Sequence, residues 1–153
     1  GIAPVTTLAG DTTVDEETFD RFFNNIEGVV FYYTTGDNCM ILENNTIQPF
    51  VKIKNNVILW SGNHIGHGTI IENNCYISSH VVISGNVHLE SNVFIGVNAS
   101  IRDSIIIRKE TLIGAGAVIM EDTMQKSVYV PERAKLLDKK SDKIIISPSN
   151  SGD

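Results

Sequence analysis

The sequence predicts an all-β fold, a parallel β-helix assembled from short strands and tight turns. Three observations carry that reading: a branched aliphatic residue at every sixth position, a second class of mostly small or β-branched residues four positions after each, and Asn and Gly crowded between them. In the first class Ile41, Ile47, Ile53, Leu59, Ile65, Ile71, Ile77, Ile83, Leu89, Ile95, Ile101, Ile107, Ile113 and Ile119 follow one another without a miss. From Ile47 onward the second class reads Val51, Val57, Asn63, Thr69, Cys75, Val81, Val87, Val93, Ala99, Ile105, Thr111 and Ala117. A helix repeats near 3.6 residues and a plain strand at two, so neither yields a strict period of six. Six residues make a short strand and a turn, and three such units close a triangular coil. Fourteen consecutive hits make a β-sandwich with chance periodicity improbable.

The segment before the repeat, residues 1–40, differs in character. It carries seven acidic residues and one basic one. Thr13-Val14-Asp15-Glu16 resembles a capping box, and Phe19, Phe22, Phe23 and Ile26 follow helical spacing, which predicts a helix over 14–26. Residues 29–33 read as a strand. A β-helix needs its ends covered, so this short helix/strand segment is expected to act as a cap. A start at Gly1 leaves room for a larger N-terminal region in the natural chain.

The β-helix itself is expected over residues 41–124. Its corners fall at Asn55, Asn56, Asn73, Asn74, Gly85, Asn86, Gly96, Asn98, Gly114 and Gly116, residue types that tolerate tight backbone angles. The composition fits a narrow bore. There are 21 isoleucines against 11 aromatics, and seven of those aromatics precede residue 51. Residues 125–143 form a basic segment with six of the 12 Lys and Arg residues, and a short C-terminal helix is predicted over 132–142 after Pro131. Residues 144–153 read as a flexible tail.

The chain has 153 residues and a net charge of −6, enough for one domain and poorly suited to nucleic acid as a main partner. No apolar run approaches the roughly 20 residues of a membrane span. Cys39 and Cys75 lie two coils apart, roughly 10 Å at strand spacing, which is too far for a disulfide. With no basic and apolar leader, a reducing, cytoplasmic setting is expected.

Function must be argued from sites, and the histidines are the first candidates. His64, His67, His80 and His88 all occupy outward positions. Adding one coil to His67 gives Gly85, so a glycine is expected beside the imidazole, leaving space and a backbone N–H. His80 is expected between Gly62 and Asn98. A neutral histidine near backbone donors suits proton removal from a nucleophile that attacks a thioester. The histidine spacing does not suit a metal site, so no metal is expected. Ile58, Tyr76, Phe94 and Leu112 recur at one-coil intervals on one outer face, an apolar ladder that suggests self-association.

Four stretches carry a resemblance. They are Trp60-Ser61-Gly62-Asn63-His64-Ile65-Gly66-His67-Gly68, Ser79-His80-Val81-Val82-Ile83-Ser84-Gly85, Phe94-Ile95-Gly96-Val97-Asn98-Ala99 and Ile113-Gly114-Ala115-Gly116-Ala117-Val118. In this order and spacing they resemble the hexapeptide-repeat acetyltransferases of nucleotide-linked amino sugars, over about residues 41–137. The resemblance implies a left-handed β-helix, a homotrimer, and acetyl-CoA bound in grooves between neighbouring subunits. It implies His67 as the base, with Asn63, His64 and His80 in substrate-binding or orienting roles, and an orienting partner for His67 among His64, His80 and Glu43. It implies cofactor contacts at Gly85, Gly96, Val97, Gly114 and Ala115, and at Pro131, Arg133 and Lys135 in the stretch Val130-Pro131-Glu132-Arg133-Ala134-Lys135. The expected reaction is acetyl transfer to a sugar amine. A sugar hydroxyl as acceptor and a non-catalytic trimeric scaffold are the alternatives.

Overall fold

The computed structural model describes residues 33–143, and the helix expected over 14–26 lies outside them. Each six-residue unit contributes a strand of two or three residues and a two-residue corner. Sixteen strands among the described residues, from β1 (Tyr33–Thr35) to β16 (Val128–Tyr129), assort into three parallel sheets. Up to β15 each strand pairs with the strand three units away, so the register advances by 18 residues per coil, as in Phe94 opposite Tyr76 and Leu112 opposite Phe94.

The three sheets are the faces of a triangular prism. Face 1 carries Val51–Ile53, Ile70–Ile71, His88–Leu89 and Ile106–Ile107 after β1; face 2 runs from Met40–Ile41 to β16; face 3 runs from Thr46–Ile47 to Val118–Ile119. Corner 1, between faces 1 and 2, includes residues 55–56 and 73–74. Corner 2, between faces 2 and 3, includes 61–62, 79–80, 97–98 and 115–116. Corner 3, between faces 3 and 1, includes 49–50, 67–68, 85–86 and 103–104.

Both inward classes fill the bore. Leu59, Ile65, Ile71, Ile77, Ile83, Leu89, Ile95, Ile107 and Ile113 are fully buried, and the second class from Val51 to Ala117 is buried at every position. Each buried Ile contributes about 1.5–3 kcal/mol relative to an exposed one. The bore has a triangular section set by three short sides, so branched aliphatics fill it where rings would not. Both cysteines are free: Cys75 is buried with its thiol pushed up to about 11 by desolvation, and Cys39 is half-buried. A thiol so protonated is no nucleophile at neutral pH.

The asparagines now have a backbone reason. The second residue of each corner has a positive φ at every sixth position, including Asn38, Asn44, Asn56, Gly62, Gly68, Asn74, Asn86, Asn92, Asn98 and Gly116. That left-handed region favours Gly and Asn over other residues. At corner 1 the Asn side chains also bond along the prism, Asn38 Nδ2 to Asn56 Oδ1 at 2.8 Å, Asn56 to Asn74 at 3.0 Å and Asn74 to Asn92 at 3.2 Å.

The strand pattern extends beyond residues 41–124 at both ends. It begins by Tyr33, where Thr35 stands in the six-residue register without being Ile. It ends at Tyr129, which pairs with Ile113 after 16 residues rather than 18. The shorter last coil is closed by Met124 N–H donating to the Tyr129 hydroxyl at 2.9 Å.

The helix predicted over 132–142 does not form. Residues 131–140 are irregular, and a single 3-10 turn occupies Ser141–Lys143. Leu136 and Leu137, the residues that would anchor such a helix, are both largely exposed. A short helix without an apolar face to bury is marginal in water.

Candidate functional site

His67 is the first residue of its turn at corner 3, where the chain leaves face 3. Its carbonyl accepts from Asn86 N at 2.7 Å, which fixes the turn to the next coil. The imidazole is exposed and lies against Gly85, as the coil arithmetic predicts. A Cβ at Gly85 would stand 2.6 Å from His67 Cε1 and 2.9 Å from both ring nitrogens. Gly85 therefore serves close approach, not an unusual backbone angle.

The Gly85 N–H is the natural donor at this place. It has no hydrogen-bond partner among the described residues. Gly66 lies directly below it: a Cβ there would come to 2.4 Å from the Gly85 nitrogen. Gly85 thus leaves room for the ring, and Gly66, itself buried, keeps a Cβ away from the Gly85 nitrogen. A polarised carbonyl placed here would meet a base and a donor together.

Gly96 behaves differently. Its N–H already donates to Ile113 O at 2.8 Å, so it is not free to hold an oxyanion. Its lack of a side chain instead clears the nitrogen of Ala115, 2.6 Å from where a Gly96 Cβ would be. The exposed Val97 side chain lies on the same corner.

The remaining candidates separate by corner. Gly114, Ala115, Pro131 and Arg133 come together, with Val130 and Glu132, around a concavity of about 390 Å³ at corner 2. Lys135 does not line it and pairs with Glu132 at 3.5 Å in solvent. His80 lies on the same corner with its ring against Gly62, in a positive-φ conformation. His64 is half-buried on face 3 between Thr46 and Val82.

Asn63 is a correction. It is 1% exposed, its Nδ2 donates to Trp60 O, and its Oδ1 accepts from Val81 N at 2.8 Å. Its polar atoms hold the coil and do not face a ligand. Glu43, an expected partner for His67, accepts from Ser61 Oγ at 2.7 Å on corner 2, and that bond lowers its carboxyl below the usual range.

The residue that does reach His67 is Gln48. Its Oε1 accepts from the His67 backbone N–H at 2.9 Å and lies 3.4 Å from His67 Nδ1. Subtracting one coil from His67 gives Pro49, so the neighbouring Gln48 was within reach of the same arithmetic. The one histidine–carboxylate pair among the described residues is elsewhere, His88 with Glu72 at 3.4 Å.

A substitution tests this geometry. Gly85→Ala suits the backbone but forces the imidazole aside. Any turnover that depends on the His67 ring is expected to fall roughly 10²-fold, the usual cost of an ångström-scale misplacement. Unchanged turnover would show that the ring position does not matter.

Comparison with known proteins places the chain among similar repeats. Residues 50–85 match the family model of the bacterial transferase hexapeptide (six repeats), and residues 86–121 that of the hexapeptide repeat of succinyl-transferase. No curated protein sequence matches significantly. Among solved structures, UDP-N-acetylglucosamine acyltransferase from Campylobacter jejuni aligns at 17% identity and a TM-score of 0.53, over 64% of this chain and 42% of that one. The acetyltransferase domain of PglB from Neisseria gonorrhoeae in complex with acetyl coenzyme A aligns at 20% identity and a TM-score of 0.40, over 61% and 50%. AntD, an N-acyltransferase from Bacillus cereus, aligns at 16% identity and a TM-score of 0.47, over 84% and 91%. The chain thus spans less than half the length of the first of these, and the likeness concerns the fold. No helix among the described residues is long and apolar enough to cross a membrane.

Proposed function

With residues 50–85 matching the bacterial transferase hexapeptide and residues 86–121 the hexapeptide repeat of succinyl-transferase, on a left-handed β-helix, we propose that this chain is an acyl-CoA-dependent acyltransferase. The observation that carries the reading is the pairing of His67 with an open backbone donor, the Gly85 N–H. The reaction is transfer of acetyl from acetyl-CoA to the amine of a nucleotide-linked amino sugar.

In this reading the sugar amine attacks the thioester carbonyl and His67 takes the amine proton. The Gly85 N–H donates to the oxyanion that forms. Collapse breaks the C–S bond, and the imidazolium returns its proton to the departing CoA sulfur. Holding both substrates in one groove supplies much of the rate. These steps call for no metal. An amine acceptor is favoured over a hydroxyl because the partner of His67 is an amide, whereas an alkoxide calls for a stronger base pair.

The two groups of candidate residues occupy different corners of one prism. A side of six residues at about 3.3 Å each separates the two corners by roughly 20 Å within one coil, and Ala115 lies three coils further along the prism than Ser61, the corner-2 residue of the His67 coil, which adds roughly 14 Å. A groove between neighbouring subunits can bring corner 3 of one chain to corner 2 of another, and a homotrimer is the proposed assembly. The basic Arg133 at the corner-2 concavity offers positive charge to a CoA phosphate.

Face 2 supplies an apolar surface for such an assembly. Its outward ladder runs Met40, Ile58, Tyr76, Phe94, Leu112 and Val128, with Phe94 39% and Leu112 40% exposed. The Tyr76 and Phe94 rings stack at 5.1 Å and 13°, with Trp60 6.5 Å from Tyr76. Changing both Tyr76 and Phe94 to Glu is expected to yield monomers in sedimentation analysis. An unchanged mass would remove face 2 from the interface.

The functional reading is tested by melting the protein with CoA and by offering it acetyl-CoA with a panel of nucleotide-linked amino sugars. Ligand at 100 times its Kd should add about 2.7 kcal/mol to stability, and amide product should form. Ester product would indicate a hydroxyl acceptor. No shift and no product would indicate a scaffold.

A further inference from the structure

We infer that Gln48 is the positioning residue of His67, fixing the imidazole as the Nδ1–H tautomer and leaving the Nε2 lone pair free. The inference rests on the proposed role of His67 only for its functional meaning. The geometry itself concerns two side chains and one backbone N–H.

Gln48 is anchored before its side chain is considered. Its N–H donates to Ile65 O at 2.9 Å, and the next residue, Pro49, accepts from Gly68 N at 3.1 Å. The chain on either side of His67 is therefore tied to the chain around Gln48. From this base the Gln48 side chain reaches the next coil.

The orientation of the amide follows from chemistry. The His67 backbone N–H is a donor, so the side-chain atom 2.9 Å from it must be the acceptor oxygen. That same oxygen lies 3.4 Å from His67 Nδ1. An oxygen facing Nδ1 is favourable only when Nδ1 carries a proton. In the neutral ring the other nitrogen, Nε2, is then unprotonated and able to accept one.

Similar side-chain caps recur along the prism, which sets Gln48 apart. Asn55 Oδ1 holds Asp37 N, Asn73 Oδ1 holds Asn55 N, and Asn45 Oδ1 holds Asn63 N. Those caps bind backbone alone. Asn45 lies 18 residues before its target and Gln48 lies 19 before His67, an offset that Glu90 repeats in holding Lys109 N; with one more methylene than Asn, the Gln48 oxygen reaches the backbone and the ring together. Gly85 closes the other side of the ring. The imidazole is thus held by an acceptor at Nδ1 and by contact over its face.

Free imidazole favours the opposite tautomer, with the proton on Nε2, so the inference can be read directly. The experiment is long-range 1H–15N correlation spectroscopy of the full chain in mildly alkaline solution, with His67→Ala to assign the resonance. The native protein should show a protonated Nδ1 and an unprotonated Nε2. Gln48→Leu, which removes the acceptor, should move His67 to the Nε2–H form. Gln48→Glu keeps an acceptor and adds a negative charge, so it should retain the Nδ1–H form and raise the His67 titration midpoint. A native Nε2–H tautomer, an unchanged tautomer in Gln48→Leu, or no rise in midpoint in Gln48→Glu would overturn the inference. Should Gln48→Leu not fold, the native spectrum and the Glu variant still decide. Full turnover in His67→Ala would sink the role of the base instead, without touching the tautomer result.

Discussion

Replacing His67 with Ala is expected to lower kcat for acetyl transfer by roughly 10²–10⁴-fold, the usual contribution of a positioned general base. The melting temperature should change little. His67 is exposed, and its main contacts are a glycine surface and the Gln48 oxygen, so its ring bears little of the packing. The backbone N–H that Gln48 holds is retained in the Ala variant. KM for acetyl-CoA should also stay close to native, because the base acts on the amine and not on the thioester. Parallel losses of turnover and stability would point to a structural role for this corner. The Gly85→Ala variant gives an independent check, since it retains the histidine residue and displaces its ring.

The second large effect concerns the bore. Ile77→Ala is expected to destabilise the chain by about 2–5 kcal/mol in urea unfolding, at the level of large-to-small core substitutions. Ile77 is fully buried, and its neighbours above and below on face 2 are the equally buried Ile95 and Leu59. Stacked coils collapse poorly around a missing side chain, because each backbone rung is bonded to the next. Tyr76→Ala, one residue away and pointing outward, should cost an isolated chain much less. A loss under about 1 kcal/mol at Ile77, the scale of an ordinary surface change, would contradict the packed bore.

The bore was the most legible part in sequence, because one constraint acts on one residue type at a fixed interval. Its inward positions need no long-range knowledge: Leu59, Ile65 and Ile71 each meet the same triangular space. The corners were legible in composition but not in cause. Asn and Gly announce turns, whereas the determining feature is a positive φ at the second corner residue, which Phe50, His80, Ser104 and Glu110 also adopt. Thr35 and Tyr129 extend the strand pattern past its predicted limits because neither is an Ile. The C-terminal helix fails for the reason short amphipathic patterns often do: its leucines have no surface to bury against.

The candidate site was half legible. Coil arithmetic gives the meeting of His67 with Gly85 and of His80 with Gly62. It does not show that Gly96 N–H is spent on Ile113, since that depends on which direction the backbone donates. It leads to Pro49, one coil before His67, and does not single out the neighbouring Gln48. A neutral amide carries no chemical signature in sequence, and its reach to the ring depends on a side-chain path of several bonds. Asn63 misleads because the resemblance assigns it a ligand role, whereas the six-residue register already places it in the inward class, where it bonds Trp60 and Val81.

The most direct test of the account is a crystal structure of the chain with CoA. The account predicts the CoA sulfur beside His67 Nε2, pantetheine passing Gly85, and the adenine end at the Pro131 and Arg133 concavity of a neighbouring chain. CoA bound with its sulfur away from His67, or a lattice grown in saturating CoA with none bound, would contradict it.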